Sequence, residues 1–197
     1  NRKKDKNSPP ALTTRECRNE LMANLGIKCI LDIDFEDIYF LSPEEFVERV
    51  LVKSLGAVKV SCGFNFKFGK NAAGDTAVLD TLCRQKGMEL GVISAESFDG
   101  KPVSSTRIRK AIESGKVGTA AKMLSRYFSF DFPVAHGDRI GRTLDMPTIN
   151  QIFPEGFILP KEGVYAVNVN IDGENHKGVC NIGTRPTIHR GEFRAET

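Results

Sequence analysis

Near Leu124 the chain changes the kind of pattern it carries, and this switch limits the available folds more than any other feature. Before it, helix signals alternate with short apolar runs. Thr13 with Glu16 has the spacing of a capping box, and Leu21, Met22 and Leu25 before Gly26 predict a helix over about 14–25. Cys29 to Ile33 reads as a short buried strand. Ser42-Pro43-Glu44-Glu45 combines an N-cap, a proline at the first helical position and an acid at the third, so a helix should start there and stop at Gly56. Val58-Lys59-Val60 and Leu90 to Ile93 read as further strands, separated by the glycine-bearing segment Gly63 to Gly74 and a helix over about 75–86. Such alternation indicates a parallel sheet with helices on its faces.

After the switch the period becomes two. Val164 to Ile171 alternates, Asp172-Gly173 is a turn pair, and His176 to Ile182 can return as the partner strand, which makes an antiparallel hairpin. Pro133, Pro147, Pro154 and Pro160 suit loops between short strands. The expected organisation is a basic tail or linker over 1–10, an α/β domain over 11–124 and a small β domain over 125–197.

Charge and cysteine usage narrow the function classes. Net charge is +3, from 28 basic and 25 acidic residues, and Arg2, Lys3, Lys4 and Lys6 against Asp5 account for all of it. The remainder is neutral, whereas a protein gripping a phosphate backbone needs a basic face, so no nucleic-acid partner is expected. The absence of tryptophan and the presence of only three tyrosines also weaken base stacking, although thirteen phenylalanines could supply rings. No apolar run approaches the about 20 residues a membrane span requires, and no secretory signal is visible, so no membrane partner and a cytoplasmic location are expected. Cys17, Cys29, Cys62, Cys83 and Cys180 are odd in number and lack a C-x-x-C pair, which reads as reduced, mostly buried thiols.

Three stretches could carry chemistry. Ser104, Ser105 and Thr106 open a helix in which Ile108, Ala111 and Ile112 share a face. Hydroxyls and free N–H groups there, with Arg109 one turn in, can hold a phosphate, or Ser104 can simply cap the helix. In Gly63 to Lys70, Phe66 and Phe68 fit either a core face or a ligand. Asn65 falls at the carboxyl end of a strand, where open parallel sheets bind ligands. His136 to Arg142 carries Gly137, Gly141 and Arg142 and is followed by Thr148-Ile149-Asn150, whose side-chain oxygens at i and i+2 share one side of an extended backbone and suit a hard cation such as magnesium. No Walker lysine motif occurs, and none of the three histidines pairs at metal-ligand spacing. Asp32 with Asp34 and Glu44 with Glu45 read as a strand edge and a helix cap.

Taken in order, these motifs resemble the bacterial bifunctional riboflavin kinase and FMN adenylyltransferase family, the FAD synthetases. Leu12-Thr13-Thr14, Leu41-Ser42-Pro43-Glu44-Glu45-Phe46, Gly63-x-Asn65-Phe66-x-Phe68-Gly69 and Val103-Ser104-Ser105-Thr106-x-Ile108-Arg109 are similar to its adenylyltransferase half. His136-Gly137-Asp138 to Leu144, Pro147-Thr148-x-Asn150, Gly163 to Val167 and Gly178 to Thr187 are similar to its kinase half. The likeness runs from about residue 11 to the end. It implies a Rossmann-like nucleotidyltransferase sheet followed by a small antiparallel β-barrel, each incomplete, as in a piece of a longer enzyme.

The implied chemistry is phosphorylation of riboflavin to FMN by ATP and adenylylation of FMN to FAD with release of pyrophosphate, with Mg2+ as cofactor. By the family pattern Thr148 and Asn150 hold magnesium and ATP phosphates, and Gly137 to Arg142, with Gly141 between, forms a nucleotide flap. Glu196 takes the proton of the riboflavin hydroxyl, Ser104, Ser105, Thr106 and Arg109 cradle the triphosphate, and Asn65 lies near the reacting phosphates. The chain contains no H-x-G-H, the family's adenylyltransferase histidine motif, and Asp145-Met146 and Ile149 replace the usual Gly-Phe and Ala. A non-catalytic flavin- or nucleotide-binding module, or an inactive fragment, is the alternative reading.

Overall fold

A computed structural model describes residues 8–135, 148–184 and 192–197. The chain divides into two compact units, one of them Cys29–Pro102 and the other Lys3–Lys28 with Val103–Thr197.

In the first unit, α2 (Phe35–Ile38) precedes α3 (Pro43–Glu45), which runs on as a π-helix over Phe46–Ser54. The start is a full capping box: the Ser42 N–H donates to Glu45 Oε2 (3.0 Å) and the Glu45 N–H to Ser42 Oγ (3.1 Å). Two backbone amides that a helix start leaves without partners are thereby satisfied. The winding ends at Gly56, whose φ of +56° few side chains tolerate. β1 (Lys59–Gly63) and β2 (Glu89–Ile93) pair in parallel, joined through α4 (Thr76–Gln85), with Val60 opposite Leu90. Short strands β3 (Ser97–Phe98) and β4 (Lys101–Pro102) form a separate hairpin.

Val47, Phe68, Leu79, Leu82, Cys83 and Met88 form the core of this unit, with Phe46 and Phe66 packed on it. Phe66 stacks on Phe68 at 5.6 Å, so both rings serve the core rather than a ligand. A Cβ at Gly74 would come within 2.5 Å of the Phe68 ring, which explains a glycine at that point.

The expected strand at Cys29 to Ile33 does not form. These residues lie in irregular, exposed chain, and the parallel sheet has two strands among the described residues. A short apolar run matches a buried strand by composition alone, but a strand also needs a neighbour to receive its backbone hydrogen bonds. Cys29 is accordingly exposed rather than buried, and Asp32 borders no strand. All five cysteines are free thiols, with Cys83 and Cys180 buried.

In the second unit, α1 (Arg15–Asn24) is capped by Thr14, which accepts from the Cys17 amide at 3.1 Å. The cap thus falls one residue after Thr13, and Glu16 lies in the first turn without closing a box. α5 (Ser105–Glu113) and α6 (Val117–Leu124) follow; Ile108, Ala111 and Ile112 are the buried face of α5, as their spacing requires. The strands β5 (Val134–Ala135), β6 (Asn150–Ile152), β7 (Gly163–Ile171), β8 (Glu174–Thr184) and β9 (Phe193–Glu196) make one antiparallel sheet in the order β5-β6-β9-β8-β7. This five-stranded sheet stands where a barrel was expected. Asp172 and Gly173 join β7 to β8 with φ of 52° and 89°, the paired positive values of a type I′ turn.

Phe130, Phe132, Phe153, Phe157 and Phe193 pack on one another, with ring separations from 4.8 to 6.2 Å. The chain near Ala11 is tied into the same unit. The Ala11 amide donates to Gly156 O (2.8 Å) and the Ile158 amide to Ala11 O (2.9 Å).

Candidate functional site

The antiparallel sheet brings three expected residues together. Asn150 on β6 lies opposite Glu196 on β9, and Glu196 lies opposite Asn181 on β8. Cross-strand partners project to the same face, so Asn150, Glu196 and Asn181 form a polar row across three strands. Ile149 and Thr197 exchange both backbone hydrogen bonds, at 2.9 and 3.0 Å. The next pair inward, Asn150 with Glu196, is therefore of the non-hydrogen-bonded kind, in which side chains approach most closely.

Thr148, two residues before Asn150, reaches the same face. Its Oγ1 donates to Glu196 Oε1 at 3.2 Å across 48 positions of sequence. A hydroxyl and a carboxylate thus meet, with the amide of Asn150 on the same face. Ile149, which replaces a smaller residue of the family pattern, projects to the opposite face and leaves this row clear.

The environments of the three differ. Glu196 and Thr148 are exposed, whereas Asn150 is only 6% exposed. The opposite face of the same strands is apolar, with Cys180, Ile182 and Ala195 buried. Burial pushes the Cys180 thiol up, against a weaker opposing hydrogen bond from Thr197, and burial likewise raises the Tyr165 phenol. Neither is ionised near neutral pH, so neither offers a nucleophile.

The sequence did not single out Asn181 or Arg194. Arg194, two residues before Glu196, shares its face and lies opposite Ile152 and Gly183. The period of two would have found it once Phe193–Glu196 was known to be a strand.

The remaining expected residues stand elsewhere. Asn65 is exposed just past the carboxyl end of β1, in the first unit. In the second unit Ser104 caps α5, its Oγ accepting from the Arg107 amide at 3.3 Å, and Ser105 and Thr106 are exposed in the first turn. Arg109 is half-buried and donates from Nε to Pro10 O at 2.7 Å, so part of its guanidinium is engaged by the main chain. Gly137, Gly141 and Arg142 lie outside the described residues. Among the described residues no group of three or more His, Cys, Asp or Glu could hold a metal ion, and no helix is long and apolar enough to cross a membrane.

Comparison with known proteins bears on both units. The family model for FAD synthetase matches residues 2–107 and that for riboflavin kinase matches residues 124–197. Proteins named bifunctional riboflavin kinase/FMN adenylyltransferase are similar along most of the chain. That of Bacillus subtilis is 31% identical over 188 residues, covering 94% of this chain and 58% of its own length. That of Listeria monocytogenes is 34% identical, covering 90% and 56%, and that of Escherichia coli is 34% identical, covering 92% and 58%. The chain therefore spans somewhat under three fifths of the length of these relatives. A crystal structure described as the macrolide-efflux protein from Streptococcus pneumoniae shares the fold, with a TM-score of 0.78 at 25% identity over 93% of this chain and 60% of that one. With one family model covering more than half of its length and the other most of the rest, the chain belongs to the FAD synthetases, and its C-terminal part is a riboflavin kinase domain.

Proposed function

We propose that the protein makes flavin cofactors with ATP. On this reading the antiparallel sheet transfers the γ-phosphoryl group of ATP to the ribityl hydroxyl of riboflavin, giving FMN. The α/β part joins FMN to the adenylyl group of a second ATP, giving FAD and pyrophosphate. The observation that carries the kinase assignment is the meeting of Thr148 Oγ1 with Glu196 Oε1 at 3.2 Å beside the buried Asn150.

Phosphoryl transfer asks for positioning and charge neutralisation more than for covalent help. Glu196, exposed and in contact with a hydroxyl, accepts the proton of the attacking alcohol as the new O–P bond forms and the bond to the ADP oxygen breaks. Thr148 keeps the carboxylate turned toward the row. The donor set is made of hard oxygens, which suits magnesium, and Thr148 and Asn150 would hold it; when bound, it neutralises phosphate charge. Gly137, Gly141 and Arg142 would, by the family pattern, bind the nucleotide. In the adenylyl transfer Ser105, Thr106 and Arg109 would hold the triphosphate. An ATP-consuming enzyme with five free thiols fits the cytoplasm.

For the polypeptide 1–197 taken alone, which holds no H-x-G-H, a second reading is that its α/β part binds nucleotide or flavin without turnover. Asn150→Ala in the full-length protein separates the two chemistries. It should abolish riboflavin phosphorylation and spare adenylylation of supplied FMN, measured by chromatography of the flavins. Equal loss of both would count against two separate sites.

A further inference from the structure

We propose that Arg194 is an additional phosphate-binding residue of the kinase site, contacting the phosphoryl group while it moves from ATP to the flavin alcohol. This rests on the kinase reading above.

Arg194 shares the sheet face of Glu196 and stands two residues before it, about 7 Å along the strand. A transferring phosphoryl group sits between its acceptor and its leaving group, and a long cationic side chain at that spacing from the base is within reach of it. The neighbours leave room for it. Its partner on β8 is Gly183, which has no side chain; the Glu162 side chain lies 3.8 Å from where a Cβ there would stand, its Oε1 already accepting from the Thr184 amide and hydroxyl, and the partner on β6 is Ile152, which offers no hydrogen bond.

The guanidinium is prepared rather than satisfied. Arg194 Nη2 donates to Glu192 Oε2 at 2.9 Å, which fixes one edge of the fork. Its Nε is buried and has no hydrogen-bond partner among the described residues, although the side chain is 19% exposed. A buried charged donor without a partner is costly unless something fills the place in the working state. A phosphoryl oxygen fits, since an arginine presents Nε and Nη donors in a planar fork that matches oxyanions. During transfer the alcohol oxygen forms its bond to phosphorus and gives its proton to Glu196, while the electron pair of the broken P–O bond leaves with ADP. Arg194 takes no part in the proton or bond balance and stabilises the equatorial oxygens.

The test uses the full-length protein with ATP and riboflavin, comparing the parent, Arg194→Gln and Arg194→Lys. Arg194→Gln should lower kcat for FMN formation about 10²–10³-fold, as loss of one preorganised donor does, with KM for riboflavin within about threefold. Arg194→Lys should recover part of that loss, and adenylylation of supplied FMN and the melting temperature should stay at parent values. A kcat for Arg194→Gln within about threefold of the parent would overturn the proposal. So would a loss of kcat matched by a lower melting temperature and by equal loss in Arg194→Lys, because a strut for Glu192 would behave that way. A parent that forms no FMN would overturn the kinase reading itself, and this proposal with it.

Discussion

In the proposed kinase reaction Glu196 is the proton acceptor, and its surroundings suit a carboxylate to that task. It stays exposed, one oxygen accepts from the Thr148 hydroxyl, and the buried Asn150 stands opposite it on the neighbouring strand. Glu196→Gln keeps the shape and removes the proton acceptor. It should lower the rate of riboflavin phosphorylation by about two to four orders of magnitude with little change in ATP affinity, the usual worth of a positioned general base. Single-turnover kinetics with excess ATP would check this, and a rate near the parent's would leave the carboxylate a surface role. Arginine 109 illustrates a different point. Its place one turn into α5 reads as a phosphate ligand by the family pattern, but the hydrogen bond from its Nε to Pro10 O joins positions 99 apart and could not be read from the residues around it.

At the scale of elements, caps and turns were the most legible features because their chemistry is local. Ser42 with Pro43 and Glu45, and Asp172 with Gly173, are satisfied within a few residues of chain. Asp75 is another such cap, accepting from the Ala77 and Val78 amides at 3.0 and 3.1 Å. The Val78 amide, then the charge of Lys67, hold its carboxyl below the usual range despite some desolvation. A carboxyl depressed in the folded state adds stability above its unfolded pKa, and the gain fades as pH falls through the lower folded value. The melting-temperature gap between the parent and Asp75→Ala should therefore be full at pH 7 and narrow progressively below about pH 4. A gap that does not vary with pH would assign the cap to shape alone. The strand expected at Cys29 to Ile33 failed for the opposite reason: its formation depended on a neighbour that composition does not name.

Across the whole molecule, the candidate residues are distributed between two units, Asn65 in one and both the α5 start and the polar row in the other. The textural switch at Leu124 and the division at Val103 measure different things, since α5 and α6 carry helical periodicity yet belong with the antiparallel sheet. The Lys161 amide, for example, donates to Ile112 O. The absence of H-x-G-H also has a consequence for the polypeptide 1–197 taken alone. It should bind ATP but release no pyrophosphate from FMN and ATP, because groups that stabilise charge on a reacting phosphate often account for several kcal/mol each. Steady pyrophosphate release that Arg109→Ala abolishes would show that the hydroxyl-rich helix start suffices.

By itself the sequence determined the helix starts, the hairpin turn, the buried faces of α5 and the family to which the chain belongs, since each rests on residues near one another or on motifs in fixed order. Only the tertiary structure decided that Phe66 and Phe68 are core, that Thr148 touches Glu196, and that Asn181 and Arg194 share their face. Those facts depend on which strand lies beside which and in what register. Within Phe193–Glu196 the alternation of Phe193 and Ala195 with Arg194 and Glu196 assigns an apolar and a polar side, but it names neither the strands beside β9 nor their register. The exchange of hydrogen bonds between Ile149 and Thr197 sets that register, and so places Glu196 opposite Asn150.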